Sequence, residues 1–236
     1  MKILGLESSA KSASVALMED GKLLARSFQN TGLTHSRTLL PMAEAMLQNC
    51  ELGIADVDAV AVAVGPGSFT GLRIGVATAK GLAWPEDKPC APCSTLESMA
   101  WPLAHLEGRV IVCAMDARRS QVYNALFLAA GEGLQRLTPD RAIGLDQLGE
   151  ELKKVEKEKI VVGDGARLCY NTLTEQGITL KMAPEHLRMQ SAWGVARAAL
   201  ELVRSGGLVS GEELAPVYCR LSQAERERLE REAKSK

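Results

Sequence analysis

The stretch most able to do chemistry is Gly65-Pro66-Gly67-Ser68-Phe69-Thr70-Gly71-Leu72-Arg73-Ile74-Gly75. It leaves an Ala/Val run through a Gly/Pro turn and opens a helix at Ser68 or Thr70, both good N-caps. A strand, a glycine-rich turn and a helix in that order can aim backbone N–H groups at an anion. The stretch is neither a P-loop nor a dinucleotide fingerprint, because no Gly-Lys-Ser/Thr follows and the glycine spacing differs. Its second half supports another use. Gly71, Gly75 and Ala79 recur at i, i+4 and i+8, a helical face almost without side-chain bulk. Such a face admits a close neighbour, as a packing device inside a domain or a docking seam on a surface. From the residues alone both uses stay open.

A second constellation is spread along the chain. Glu7-Ser8-Ser9 ends the first strand-like run, Asp116 ends a matching run in the second half, and Gly163-Asp164-Gly165 forms another strand–turn–helix junction. Together they could line a nucleotide cleft between two halves, with phosphates and Mg²⁺ near the first group and adenosine near the last. No paired catalytic carboxylates stand out, and Ser8 and Ser9 lack His/Asp partners, so the cleft is equally readable as a remnant and no catalytic residue is assigned. The three histidines, His35, His105 and His186, are isolated, without metal-ligand spacing, so no metal site is expected. Cys90-Ala91-Pro92-Cys93 is a lone CxxC flanked by prolines, which reads as an extended entry to a capped helix at Ser94. His35 to Cys50 is amphipathic, with Leu39, Leu40, Met42, Ala43, Met46 and Leu47 at helical spacing. Core packing is its simpler reading and partner docking the sharper one.

The elements that must position these residues follow one order twice. Lys2–Ser9, Ala13–Glu19 and Lys22–Phe28 read as strands, with a hairpin at Asp20-Gly21. The helix from His35, a strand at Ala59–Val64, a helix at Thr70–Ala83, an extended Pro89–Cys93 and a capping-box helix start at Ser94-Thr95-Leu96-Glu97 complete the first half. The order restarts at Arg109, an offset of about 107 residues from Lys2. Arg109–Met115, Gln121–Ala129 and Leu134–Thr138 read as strands, Leu145–Lys157 as a helix, and Lys159–Val162 as a strand. Ala166–Gln176 reads as a helix, Ile178–Met182 as a strand and Ser191–Arg204 as a helix. A duplicated β-β-β-α-β-α-β-α plan is that of the actin-like, Hsp70-like and sugar-kinase-like ATPase fold, an α/β class. The expected divisions are a first lobe at 1–105, a second at 106–207, and a C-terminal segment at 208–236 ending in a solvated, frayed helix of mixed charge.

At 236 residues with 46% hydrophobic and 24% charged side chains, the chain can bury a core without staples. Its net charge of −1 excludes the basic surplus expected of a protein that binds bare nucleic acid by itself. The N-terminus has no leader-like apolar segment, and the weakly polar stretch from Asp58 to Trp84 is broken by Gly65-Pro66-Gly67, Arg73 and Lys80, so no membrane span is expected. Six scattered cysteines, several inside apolar runs, suit small buried hydrophobes in a reducing compartment, which points to the cytoplasm.

Several of these runs carry a resemblance. GPGSFTGLRIG at 65–75, LESS at 6–9, HSRTLLP at 35–41, STLESMA at 94–100, DARRSQVY at 116–123 and PVYCR at 216–220 resemble the bacterial TsaB family, also called YeaZ. The resemblance covers nearly the whole chain, departing at Cys90 and Cys93, where the family is apolar, and at Cys219, where it has Leu. It implies an actin-like two-lobed fold and a part in forming threonylcarbamoyladenosine beside the anticodon of tRNAs reading A-starting codons. It implies a non-catalytic subunit that pairs with a TsaD-like catalytic subunit, joined by a TsaE-like ATPase. It also implies a homodimer when alone, no cofactor of its own, ATP and Mg²⁺ used by the assembled complex, and tRNA contacted only through that complex. The two first-lobe helices serve docking in that family, which maps the partner interface here to His35, Arg37, Leu40, Ala43, Met46 and Leu47 on one helix. On the other it maps to Gly71, Leu72, Gly75, Thr78, Ala79 and Leu82. The resemblance therefore tips the small-residue stripe toward docking. The competing readings are an independent ATP-using enzyme of the kinase-like fold, built on the interlobe constellation, and a metallopeptidase, disfavoured by the isolated histidines.

Overall fold

The computed structural model describes residues 1–118 and 120–220. The charged tail expected at 223–236, and Arg119 of the 116–123 run, lie outside the described residues. The first half contains β1 (Lys2–Glu7), β2 (Ala13–Glu19), β3 (Lys22–Gln29), α1 (His35–Asn49), β4 (Ala59–Gly65), α2 (Phe69–Ala83), β5 (Cys90–Ser94) and α3 (Thr95–Ala100). The second contains β6 (Val110–Asp116), β7 (Gln121–Ala129), β8 (Leu134–Arg136), β9 (Arg141–Gly144), α4 (Leu145–Lys153), β10 (Lys159–Val162) and α5 (Ala166–Glu175). It ends with β11 (Lys181–Met182), α6 (Glu185–Arg188) and α7 (Ala192–Ser205). The duplicated actin-like plan is present.

The first sheet has the order β3-β2-β1-β4-β5, with the β1/β2/β3 meander antiparallel and β4 and β5 parallel to β1. Asp20 and Gly21 turn the β2–β3 hairpin with φ of 49° and 85°, as a two-residue turn of that hand requires. The second sheet runs β11-β10-β6-β7-β8, again with an antiparallel start and parallel crossovers. Its third strand departs from the expected single run at Leu134–Thr138. It is split into β8 and β9, which pair with opposite ends of β7. Pro139 supplies no N–H for a ladder, and in the gap the Thr138 hydroxyl accepts from Leu126 N at 2.9 Å. The strand expected at Ile178–Met182 is only Lys181–Met182, because Ile178 and Leu180 turn into the core.

Five layers result. Leu39, Ala43, Met46 and Leu47 of α1, with Val76 and Ala79 of α2, cover the outer face of the first sheet, against Leu4, Leu6, Val15, Leu17, Val60 and Val62. Val195, Ala196, Ala198 and Ala199 of α7 cover its inner face, against Ile3, Met18, Ala61, Ala63 and Ala91. The Ala/Val run of β4 is buried throughout for that reason. Leu96, Met99 and Ala100 of α3 cover the inner face of the second sheet, and α4 and α5 its outer face. The two halves thus exchange their last helices. α3, from the first 105 residues, packs on the second sheet, while α7, from the second half, packs on the first. Layer boundaries and chain boundaries do not coincide.

Residues 208–220 form a strap along the first lobe. Val209 and Cys90 exchange backbone hydrogen bonds at the free edge of β5 (2.8 and 2.9 Å), Leu214 enters the outer core, and Val217 N donates to Val64 O at 2.7 Å. Tyr218 stacks on Phe69 with ring centroids 4.8 Å apart, and the Arg73 guanidinium lies over the other ring partner, Phe69, while its Nε donates to Tyr218.

Candidate docking face and interlobe seam

Ser68 caps α2, accepting from Gly71 N at 3.3 Å, and the helix then lies against the β1–β2 turn. The Gly71/Gly75/Ala79 stripe faces inward. Ser8 Oγ donates to Gly71 O at 2.9 Å. A Cβ added at Gly71 would run into the Ser8 carbonyl, and one added at Gly75 would stand 2.5 Å from Ser8 Oγ and 3.3 Å from Val62. The stripe is therefore a packing device that brings α2 onto β1 and β4, not a surface seam. This corrects the expectation for Gly71, Gly75 and Ala79, and for Leu72, Ala43, Met46 and Leu47, all of which are buried within this chain. Leu72 and Val76 hold the signal that settles it. They are the next residues after Gly71 and Gly75, so the glycines share the apolar face rather than oppose it.

Of the remaining expected interface residues, Arg37 and Leu40 are exposed, and His35, Thr78 and Leu82 are half-buried. His35 Nε2 shares a 2.7 Å hydrogen bond with Ala10 O, and Thr78 Oγ1 donates to Ile74 O, so both ring and hydroxyl have local partners. The outward face of α2 is a different i, i+4, i+8 set, Arg73, Ala77 and Gly81, followed by Trp84, all exposed. A Cβ at Gly81 would meet open space. Beside it α1 exposes Leu40, Pro41, Glu44, Ala45 and Gln48. Sequence reasoning missed Ala77, Gly81 and Trp84 because it followed the stripe with the most glycine.

The structure does gather part of the interlobe constellation. Glu7 is fully buried at the end of β1, and its Oε1 accepts from Ser9 N at 2.6 Å. Burial pushes its carboxyl up to about 7; hydrogen bonding from Ser9 opposes this, and the nearby Asp164 charge adds to it. Asp164 is also raised by burial, against a 2.8 Å hydrogen bond from Gln190 Nε2 to its Oδ1. Gln190, which no sequence pattern marks, is fully buried and ties the lobes. Its side chain holds Asp164 of the second lobe, and its carbonyl accepts from Ser12 Oγ of the first. Asp116 is exposed at the end of β6 beside Gly165, its charge adding to the upward push on Asp164 and its carboxylate accepting from Arg118 N at 2.7 Å.

Four donors of the seam are engaged within the protein, whereas Ser9 Oγ is buried without a hydrogen-bond partner, as are Glu7 Oε2 and Gln190 Oε1. Ser9 N serves Glu7, Ser8 Oγ serves Gly71 O, Gly163 N donates to Arg188 O, and Gly165 N donates to Ala114 O. Among the described residues no group of three or more His, Cys, Asp or Glu is placed to hold a metal ion. Cys90 and Cys93 are free and buried in β5. Burial pushes both thiols up, and Cys93 Sγ donates to Val195 O, which suits packing rather than redox chemistry. Among the described residues no helix is long and apolar enough to cross a membrane.

Known proteins match this arrangement end to end. The family model described as TsaD, tRNA N6-adenosine threonylcarbamoyltransferase, matches residues 29–227. The tRNA threonylcarbamoyladenosine biosynthesis protein TsaB of Bacillus subtilis (strain 168) is 31% identical over 234 residues, covering 98% of this chain and 99% of that one. The TsaB of Escherichia coli (strain K12) is 30% identical over 222 residues, covering 93% and 95%. Among solved structures, a Pseudomonas aeruginosa protein with similarity to peptidase YeaZ superposes with a TM-score of 0.80 at 25% identity, covering 93% of this chain and 99% of that one. Glu7, the inward glycine stripe and the bare outer helices thus stand in a chain that belongs to the TsaB (YeaZ) family of tRNA threonylcarbamoyladenosine biosynthesis proteins.

Proposed function

We propose that this chain is the non-catalytic activating subunit of an assembly that forms threonylcarbamoyladenosine in tRNA, and that it docks a TsaD-type transferase through the outward faces of α1 and α2. The observation that carries the reading is the uncovered outer layer of the first lobe, where Leu40, Ala45, Ala77 and Gly81 leave two adjacent helices open to a close neighbour. The family model that matches this chain is the transferase's own, so the two proteins share a fold. The same helix pair on each can meet as a near-twofold four-helix layer, and two copies of this chain can meet in the same way when alone. Docking activates the transferase by favouring one of its conformations over the other.

The interlobe seam supports the non-catalytic part, because Ser9 N, Ser8 Oγ, Gly163 N and Gly165 N are spent on partners within the chain. ATP and Mg²⁺ then belong to the transferase and a TsaE-type ATPase. With a net charge of −1, tRNA contact falls mainly to the other subunits, and the cytoplasm is the compartment of that work. Size-exclusion chromatography with light scattering tests the reading on this protein alone and mixed with the transferase of the same organism. A one-to-one species that replaces a homodimer is expected; separate elution under all nucleotide conditions would overturn it.

A further inference from the structure

Trp84 is 82% exposed, while Trp101 is 6% exposed and lies beneath the Arg197 guanidinium at 3.9 Å, and Trp193 is half-buried. A tryptophan offers 150–250 Å² of largely apolar surface, and leaving it in water forgoes a large burial term. Its position is fixed: Trp84 extends α2 by one residue in helical conformation, on the same outward face as Ala77 and Gly81. A 3-10 turn over Trp84–Glu86, with Pro85 in its first turn, continues α2, and Asp87 takes a left-handed φ of 45° to turn the chain back. Lys88 N donates to Ala83 O and Lys88 Nζ to Ala55 O, which brings the 54–56 turn beside this end. Glu86 and Asp87, two and three residues beyond Trp84, are exposed, and so is Asp56 of that turn, whose carboxylate accepts from Gly53 N at 2.8 Å. An exposed indole on a fixed backbone at the end of a smooth helix face, with the carboxylates of Glu86 and Asp87 close by in the chain, has the form of an interface anchor.

We propose that Trp84 is the anchor of the docking face, and that its occupant is an apolar pocket rimmed by Lys or Arg on the TsaD-type transferase. The inference rests on the docking reading above and adds the residue that carries its affinity and the chemistry of the surface that receives it. These nearby carboxylates select a basic-edged partner, and the small residues Ala77 and Gly81 allow the helix beside the ring to approach closely.

The test labels the three tryptophans with 5-fluorotryptophan and assigns Trp84 through Trp84→Phe. Fluorine spectra are then recorded with the transferase, beside light scattering and affinity measurements at low and high salt. The expected result is a heterodimer in which the Trp84 resonance shifts while those of Trp101 and Trp193 keep their positions. Trp84→Ala should weaken affinity by about tenfold or more, and Glu86→Lys should flatten the salt dependence, both with unchanged melting temperature. A heterodimer of undiminished affinity in Trp84→Ala, or one whose Trp84 resonance does not move, overturns the anchor and leaves the docking reading standing. Failure of the unsubstituted protein to form any heterodimer overturns both. A Trp84 shift on concentrating this chain alone, with none on adding transferase, assigns the anchor to a second copy and overturns the proposed occupant.

Discussion

The outer helix layers of the two lobes occupy equivalent places in a duplicated plan and are finished differently. On the second lobe, α4 and α5 are 9 and 10 residues long; α4 meets solvent with Asp146, Gln147, Glu150 and Lys153, including a 2.7 Å Glu150–Lys153 pair, and α5 with Arg167, Leu168, Asn171, Thr174 and Glu175. On the first lobe, α1 and α2 are each 15 residues long and show Leu40, Pro41, Ala45, Ala77, Gly81 and Trp84, with Arg37, Glu44 and Arg73 between them. Both pairs bury an apolar stripe on their sheet, so the fold is satisfied equally well in each. The difference lies only in the side that the fold does not need. A face that is long, flat and poor in charge, on a layer already stable without it, is free to serve a partner.

Four substitutions can break or sharpen that contrast. The largest effect is expected from Gly71→Leu, on the inward side of α2, where the Ser8 carbonyl occupies the space that a side chain would take. Overpacking against backbone should cost about 4 kcal/mol and lower the melting temperature by about 10 °C, whether or not a partner is present. Calorimetry checks this; a variant with unchanged melting temperature that only fails to dock would put the stripe back on the surface.

Next in size is the pH dependence set by Glu7. Its carboxyl titrates near 4.5 in a model peptide and at about 7 in the fold, so the fold favours the protonated form. Its contribution is therefore complete below about pH 4.5 and is lost as pH rises through about 7, up to about 3 kcal/mol. Glu7→Gln, which keeps an acceptor for Ser9 N, should remove much of that decline between pH 5 and 8. Equal pH profiles for the two proteins in denaturant melts would show that the seam is not coupled to this proton.

The smallest effect concerns the outer faces themselves. Ala77→Glu should weaken heterodimer formation by about 2 kcal/mol at an unchanged melting temperature, and Glu150→Ala on α4 should leave association as it was. Equal effects from the two substitutions would erase the distinction between the lobes.

Much of the fold was readable from local chemistry. Asp20-Gly21 marks its hairpin, the Ala/Val run at 59–64 marks a strand covered on both faces, and Ser68, Ser94 and Ser191 each accept from an amide of the helix they cap. The capping box expected at Ser94 is only half made, since Glu97 reaches Arg136 at 2.9 Å instead of the cap. What stayed hidden was relational. The Ala-rich face of α7 fits either sheet by pattern, and only the assembled layers show that it crosses to the first. The glycine stripe of α2 looks the same from either side, and its direction follows from Leu72 and Val76 once the sheet beneath is known. Gln190 has no sequence signature at all, because its importance comes from joining the Asp164 carboxyl of one lobe to Ser12 of the other.

The exchange of α3 and α7 between sheets also sets the order in which the molecule can be completed on the ribosome. The first sheet ends at Ser94, yet its inner face waits for α7 and its β5 edge for Val209, so this sheet is made well before it is covered. Until about a hundred further residues emerge, Ile3, Met18 and Ala61 face water on one side of a sheet with an open edge. That interval is several seconds at ordinary rates of synthesis, and an apolar face beside an unpaired strand edge is open to wrong partners throughout it.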